Sequence, residues 1–366
     1  MALEKIHRRN LQVWPLEERA SQLNIEKIAL DPLADAPPVR DATAKQLDAL
    51  ARRIRSARRR GASVMLTYGA HLIKNGAGTL VTWLVENGWV THAATQGAGV
   101  IHDWEFAYAG VSSESVRDNA PNGTFGAWDE TGWAINLAVT AGAADGLGFG
   151  EAMGKFIVED GLILPDPKDL AAQIAAEPAG ELTAARADLL RMMKTFELPG
   201  GKCHVRHEYP RYSALAACYR AGVPFTVHPG IGYDIFTNHP MYSPAAIGRA
   251  AGTDADVFAA SVDRLDGGVY LSVGSAIMSP QVFEKAFSAA NNLRRQAGRE
   301  FLHDHSVAVV DLQDGGDWDW TRGEPPKDHP AYYLRFCKSF HRMGGTVDYL
   351  REDNRTILAQ LIARLR

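Results

Sequence analysis

Ser63-Val-Met-Leu-Thr67 is an apolar run that stops at Tyr68-Gly69-Ala70, and Thr79 to Asn87 then carries helical spacing up to Gly88. Val90-Thr-His-Ala-Ala-Thr95 is a second apolar run, stopping at Gly97-Ala98-Gly99. Short apolar runs bounded by turn residues read as strands covered on both faces. A strand, a helix closed by a glycine cap and a second strand form the unit that builds a parallel sheet, because parallel neighbours need a crossover long enough for a helix. The fold class is therefore α/β.

The same pattern recurs outward from this unit. Val223-Pro-Phe-Thr-Val227 ends at His228-Pro229-Gly230-Ile231-Gly232, and Gly268-Val-Tyr-Leu-Ser-Val273 ends at Gly274-Ser275, with a helix from Ser279 to Arg295 behind it. Ser306-Val-Ala-Val-Val310 ends at Asp311. Between these units, 128–222 is mostly helical, with periodic segments at 132–144, 168–176 and 181–197. We read 41–366 as a single α/β domain: a doubly wound, mostly parallel, Rossmann-like sheet with a helical insertion at about 128–222. A separate helical subdomain is the alternative. Residues 41–60 read as a helix with Asp41 or Thr43 as N-cap. Residues 1–40 carry Pro15, Pro32, Pro37 and Pro38 and little period, so an extended arm wrapping a neighbouring surface is expected. Ligands of open parallel sheets bind beyond the carboxyl ends of the strands, which places the candidate site at these Gly-, His- and Asp-bearing turns.

Composition narrows the function classes. The chain has 366 residues, is 46% hydrophobic and 22% charged, and carries a net charge of -4. That balance argues against a nucleic-acid footprint, which concentrates Lys and Arg. The basic cluster Arg52-Arg53-Ile54-Arg55 to Arg58-Arg59-Arg60 reads as a solvated helix face. No window approaches the ~18 apolar residues of a membrane span, and the N-terminus has no apolar leader. Cys203, Cys218 and Cys337 are odd in number and scattered, so no disulfide framework is expected. The expectation is a soluble, cytoplasmic protein with neither membrane nor nucleic-acid partner.

Gly146-Leu-Gly-Phe-Gly150-Glu-Ala-Met-Gly154-Lys155 looks like a phosphate loop but lacks its spacing. Phe149 stands where the loop's first glycine belongs, and Phe156 cannot ligate magnesium. Met153 replaces the third glycine of a dinucleotide fingerprint. A turn between two helices is the better reading. Cys203-His204-Val-Arg-His207 matches no usual zinc spacing, and no metal is expected. Asp314-Gly-Gly-Asp-Trp-Asp-Trp320 combines carboxylates with indoles that could bind a cation. Lys338, among apolar neighbours, is a candidate imine-forming amine if partly buried.

Two turns carry a family resemblance. Ala70-His-Leu-Ile-Lys-Asn-Gly76 and Gln96-Gly-Ala-Gly-Val-Ile-His-Asp103 resemble the paired turns of the deoxyhypusine synthase family at the same separation. Pro229-Gly-Ile-Gly-Tyr-Asp234, Gly274-Ser275 with Asn291-Asn292, and the region from Lys338 to Asn354 are similar in the same order. The likeness covers roughly 60–110 and 222–366. It implies a homotetrameric, NAD-dependent transferase that moves an aminobutyl group from a polyamine such as spermidine, through a lysine imine, to a protein or small amine acceptor. On this resemblance Ala70, His71, Lys74, Gln96, Gly97, Ala98, Gly274, Asp311, Leu312, Asp353 and Asn354 would line the NAD site. Lys338, Asp234 and His102 would serve catalysis. His102 stands for a family glutamate, Pro229 for a ribose-binding aspartate, and Ser279 or Pro280 for a catalytic histidine. Phe336-Cys337 replaces the family's Trp-Gly before the lysine. Asp317, Trp318 and Asp319 would restore lost polyamine recognition. Two alternatives stand beside this reading: a non-catalytic or differently specific ligand-binding homologue of the same fold, and a metal-dependent hydrolase built on His71, His102 and His228.

Overall fold

The computed structural model describes residues 3–366. Six strands form one parallel sheet: β1 (Val64–Tyr68), β2 (His92–Thr95), β3 (Phe225–Val227), β4 (Val269–Val273), β5 (Ser306–Asp311) and β6 (Thr346–Arg351). Their order across the sheet is β3-β2-β1-β4-β5-β6. The chain thus builds one half outward from β1, returns to β1's other side and builds the second half, which is the strand order of the dinucleotide-binding doubly wound fold. The expected fold class holds, with one strand more than the apolar runs announced.

The central strands feed two cores, because successive side chains point to opposite faces. Val64, Leu66 and Tyr68 of β1, with Val269, Leu271 and Val273 of β4, pack on one side. They meet α1 (Asp41–Arg60) through Leu47, Leu50 and Ile54. Met65, Tyr270, Val307 and Val309 point to the opposite side, into a core that holds Phe258, Phe283 and Phe340. Asp41 is the first helical residue of α1, not its cap, so its charge complements the positive end of the helix dipole. Of the basic cluster, Arg53 pairs with Asp348 and Arg58 donates to the Gly88 carbonyl at 2.6 Å, so part of it stitches the helix to its own sheet.

Five further helices follow in chain order: α2 (Gly97–Ala109), α3 (Asp129–Ala144), α4 (Phe149–Val158), α5 (Pro244–Val262) and α6 (Met278–Gln296). After these come α7 (Arg335–Arg342) and α8 (Asn354–Leu365). Of the glycine-rich stretch, Gly146-Leu-Gly148 lies in the turn between α3 and α4, and Phe149 to Lys155 forms the start of α4. Asp254 of α5 accepts from the N–H groups of Gly150 (3.0 Å) and Val227 (2.6 Å), tying three elements with one carboxylate. Cys203 and His204 lie in an antiparallel pair, Gly161–Leu164 with Gly201–His204, which the sequence reading did not anticipate. The N-terminal arm packs on this chain's own surface. Trp14 exchanges hydrogen bonds with Ala127 and Asp129, and Leu23–Asn24 pairs antiparallel with Val111–Ser112. Among the described residues no helix is long and apolar enough to cross a membrane.

Candidate active site at the carboxyl edge of the sheet

The order of the strands reverses between β1 and β4, the place where doubly wound sheets hold their ligands. Two glycines pack against each other there. A Cβ on Gly69 would lie 2.0 Å from the Gly274 carbonyl oxygen, so no larger residue fits there without moving a strand. Gly274 adopts φ +60°, and a Cβ there would lie 2.2 Å from Asn354 Nδ2. Asn354 Oδ1 is buried without a hydrogen-bond partner, an unmet acceptor beside the crevice. Asp353 caps α8 through the N–H of Arg355 (2.9 Å) and Thr356 (3.3 Å), and Asp311 ends β5. The structure therefore brings Ala70, His71, Gly274, Asp311, Leu312, Asp353 and Asn354 to one edge of the sheet.

Gln96, Gly97 and Ala98 have different work. With its amide oriented to satisfy its neighbours, Gln96 donates to the Tyr68 carbonyl and accepts from Ala70 N–H at 3.1 Å, joining the ends of β1 and β2. The start of α2, expected to face NAD, is covered by the carboxylate of Asp234. A Cβ on Gly97 would meet Asp234 Oδ2 at 2.2 Å, and that oxygen also accepts from Gly230 N–H at 2.7 Å. The protein's own anion thus takes the place a helix N-terminus offers to a phosphate. Burial pushes Asp234 up to about 6, offset in part by the N–H groups of Gly230 and Ala98. Its Oδ1 has no partner at bonding distance.

Beside this carboxylate lies a cavity of about 230 Å³ walled by Arg19, Lys74, His102, Glu105, Tyr233 and Asp234, among others. Arg19 reaches it from the arm and grips Glu105 with both terminal guanidinium nitrogens, at 2.6 and 3.0 Å. Glu105 also accepts from Thr131 Oγ1 (2.8 Å) and Ser112 Oγ (2.5 Å). His102 Nδ1 lies 2.8 Å from Ser112 Oγ. Burial, with smaller contributions from Lys74, Arg19 and His71, lowers His102 to about 4 against the opposing pull of Glu105. The imidazole is therefore neutral at physiological pH and free to accept a proton. Lys74, expected at the cofactor, belongs to this cavity, and among the described residues no carboxylate lies within ion-pair distance of it.

The remaining candidates lie elsewhere. Lys338 is 9% exposed, with Nζ 3.5 Å above the Tyr332 ring, and it does not line the cavity. Asp319 is bound to Thr321 of its own turn, Trp318 packs against His329, and Asp317 is exposed. His228 leans on Phe258 while His102 turns to Ser112, so the three histidines of the hydrolase alternative form no cluster. Among the described residues no group of three or more His, Cys, Asp or Glu side chains is placed to hold a metal. Arg19, Glu105, Ser112 and Thr131 escaped the sequence reading. Only the His102/Glu105 spacing of three, one helical turn, offered a signal.

No protein-family model and no curated protein matches the chain. Solved structures do. The apo structure of ArgZ, an arginine dihydrolase from the ornithine-ammonia cycle in cyanobacteria, matches at 13% identity and TM-score 0.43, covering 90% of this chain and 33% of that one. The ternary complex of AgrE with ornithine and NAD+ matches at 12% identity and TM-score 0.43, covering 90% and 34%. A conserved putative LOR/SDH protein from Methanococcus maripaludis S2 matches at 13% identity and TM-score 0.44, covering 92% and 73%. The chain spans about a third of the length of ArgZ and AgrE. These neighbours are not deoxyhypusine synthases, and they correct that resemblance together with the polyamine aminobutyl transfer it implied. Glycine turns at the ends of parallel strands recur wherever a doubly wound sheet opens a crevice, so two such turns identify an architecture rather than a reaction. What the chain demonstrably possesses is the α/β dinucleotide-type sheet, and that assignment stands on its own strand order.

Proposed function

We propose that this protein is an NAD-dependent oxidoreductase acting on a small substrate held in the cavity above the start of α2. The reading is carried by one juxtaposition: a glycine-floored switch point beside a cavity walled by a neutral histidine. The fit to a dinucleotide rests on the switch point itself, where the Gly69 and Gly274 turns pack closely with no side chain between them, and on the unmet acceptor of Asn354. Ala70, His71, Gly274, Asp311, Leu312, Asp353 and Asn354 would hold it, with the carboxylates accepting from ribose hydroxyls. Bound NAD supplies a two-electron hydride acceptor.

The chain's own groups do the rest. Lys74 offers an unpaired cation to an anionic group of the substrate, while Arg19 is already neutralised by Glu105. Asp234 Oδ1 accepts from an N–H or O–H of the substrate, which meets its own missing hydrogen bond. His102 Nε2 takes the proton that leaves the substrate's hydroxyl or amino group as its carbon gives up hydride, and a C=O or C=N bond forms. Titration with NAD and NADP, followed by a screen of small hydroxy and amino acids for reduced nicotinamide, tests the proposal. His102→Asn should bind the dinucleotide as the parent does and lose at least about 100-fold in turnover. Failure of the parent protein to bind either dinucleotide would sink the reading.

A further inference from the structure

We infer that Ser112 and Glu105, anchored by Arg19, are positioning residues that fix His102 as the Nδ1–H tautomer and leave a bare Nε2 facing the cavity. The proton count leaves one arrangement. An ionised carboxylate only accepts, and Glu105 accepts from Arg19 Nη1 and Nη2, from Thr131 Oγ1 and from Ser112 Oγ. Ser112 has a single hydroxyl proton, and it is committed to Glu105. Its oxygen can therefore only accept from His102, 2.8 Å away, so the ring's proton sits on Nδ1. Nε2 keeps its lone pair and has no hydrogen-bond partner among the described residues, in a ring that forms part of the cavity wall.

The interposed serine matters electrostatically. A carboxylate directly on the imidazole would favour the imidazolium, as in a Ser-His-Asp arrangement. Here the charge of Glu105 stands one hydroxyl further away and is neutralised by a bidentate guanidinium. Glu105 favours the charged ring while Lys74, Arg19 and His71 favour the neutral one, and Glu114, Tyr233 and Asp234 share the cavity. The device orients His102 without charging it. It also depends on the arm. Leu23 pairs with Ser112 in the antiparallel ladder, and Arg19 lies in the same segment, so docking of residues 14–24 completes the relay.

The assignment of His102 as a base rests on the oxidoreductase reading, whereas the tautomer does not. Nitrogen-15 NMR of the full chain, with the His102 ring identified against His102→Asn, reads it directly. At neutral pH the parent ring should show a protonated Nδ1 and an unprotonated Nε2. Ser112→Ala should abolish that single-tautomer signature, and Ser112→Thr, which keeps the hydroxyl, should restore it. With a turned-over substrate, Ser112→Ala should lower kcat about tenfold or more while the KM for dinucleotide stays unchanged. A parent ring in the Nε2–H form, or an Nδ1–H form that survives Ser112→Ala, would overturn the inference. An Nδ1–H ring in a protein that turns over no substrate upholds the relay and removes the oxidoreductase reading instead.

Discussion

Gly69→Ala separates packing at the switch point from backbone strain. Gly69 sits at φ -82° and ψ 155°, which alanine adopts freely, so any effect must come from the added methyl. That methyl would lie 2.0 Å from the Gly274 oxygen, where real Cβ atoms stay beyond 3.0 Å. The end of β1 must therefore retreat from β4 by about an ångström, stretching the Gly69 N–H bond to Val273 O, now 3.0 Å. Overpacking of this kind costs about 1–3 kcal/mol and the lost hydrogen bond about 1 more. With an unfolding entropy of about 2.1 cal/mol/K per residue, that lowers Tm by about 3–5 °C for a chain of this length. Gly61→Ala supplies the control. Gly61 has φ +69° and nothing within 4 Å of the methyl that alanine would add, so its cost is left-handed strain of about 1–2 kcal/mol and is remote from the crevice. Both variants lose stability, by different means and at different places. Calorimetric titration with NAD should show parent-like binding for Gly61→Ala and none, or at least tenfold weaker binding, for Gly69→Ala. Equal affinity in both would refute the placement of the dinucleotide over Gly69 and Gly274.

Three further outcomes are expected. Because burial lowers His102 to about 4 and raises Asp234 to about 6, kcat/KM should show an acid limb near 6 that disappears in Asp234→Asn and leaves one near 4; a limb near 6.5 that survives Asp234→Asn would contradict it. Burial raises Asp254 from 3.8 to about 7, so its contribution is fully present below about 4 and is lost as pH rises through 7. The stability difference between Asp254→Asn and the parent, measured by denaturant midpoint, should accordingly shift in the variant's favour between pH 4 and 8. Lys338→Met should cost about 1 kcal/mol through loss of the cation–π contact with Tyr332, and leave the NAD titration unchanged.

The sequence announces what local chemistry decides. β1 and β4 are buried along their whole length, so each reads as an unbroken apolar run, and the glycine at each carboxyl end marks the turn. β6 escapes because it is an edge strand: Thr346 and Arg351 are exposed and only Val347 and Leu350 are buried, too little for an apolar run. The order β3-β2-β1-β4-β5-β6 is likewise absent from any local window, since it depends on which side of β1 the chain rejoins after its helical insertion. The relay is less legible still. Arg19 and Glu105 are 86 positions apart, and an arginine in a proline-rich arm gives no sign that it will be buried against a carboxylate.

The change in the chemical reading follows from the difference between scaffold and side chains. A lysine that forms imines must present Nζ to its substrate, and Lys338 instead spends its ammonium on an aromatic face away from the cavity. His102 has the opposite placement: its outer nitrogen is uncommitted, its inner nitrogen is tied, and its surroundings keep it neutral. Asp234 adds the complementary asymmetry, with one oxygen saturated by Gly230 and the other unmet. A site with one free base, one free acceptor and one free cation is equipped to move a proton and hold a small polar molecule, and a neighbouring crevice at the switch point can supply the partner for the electrons. The strand order fixes where such a site must lie. The hydrogen bonds behind His102 determine what it can do there.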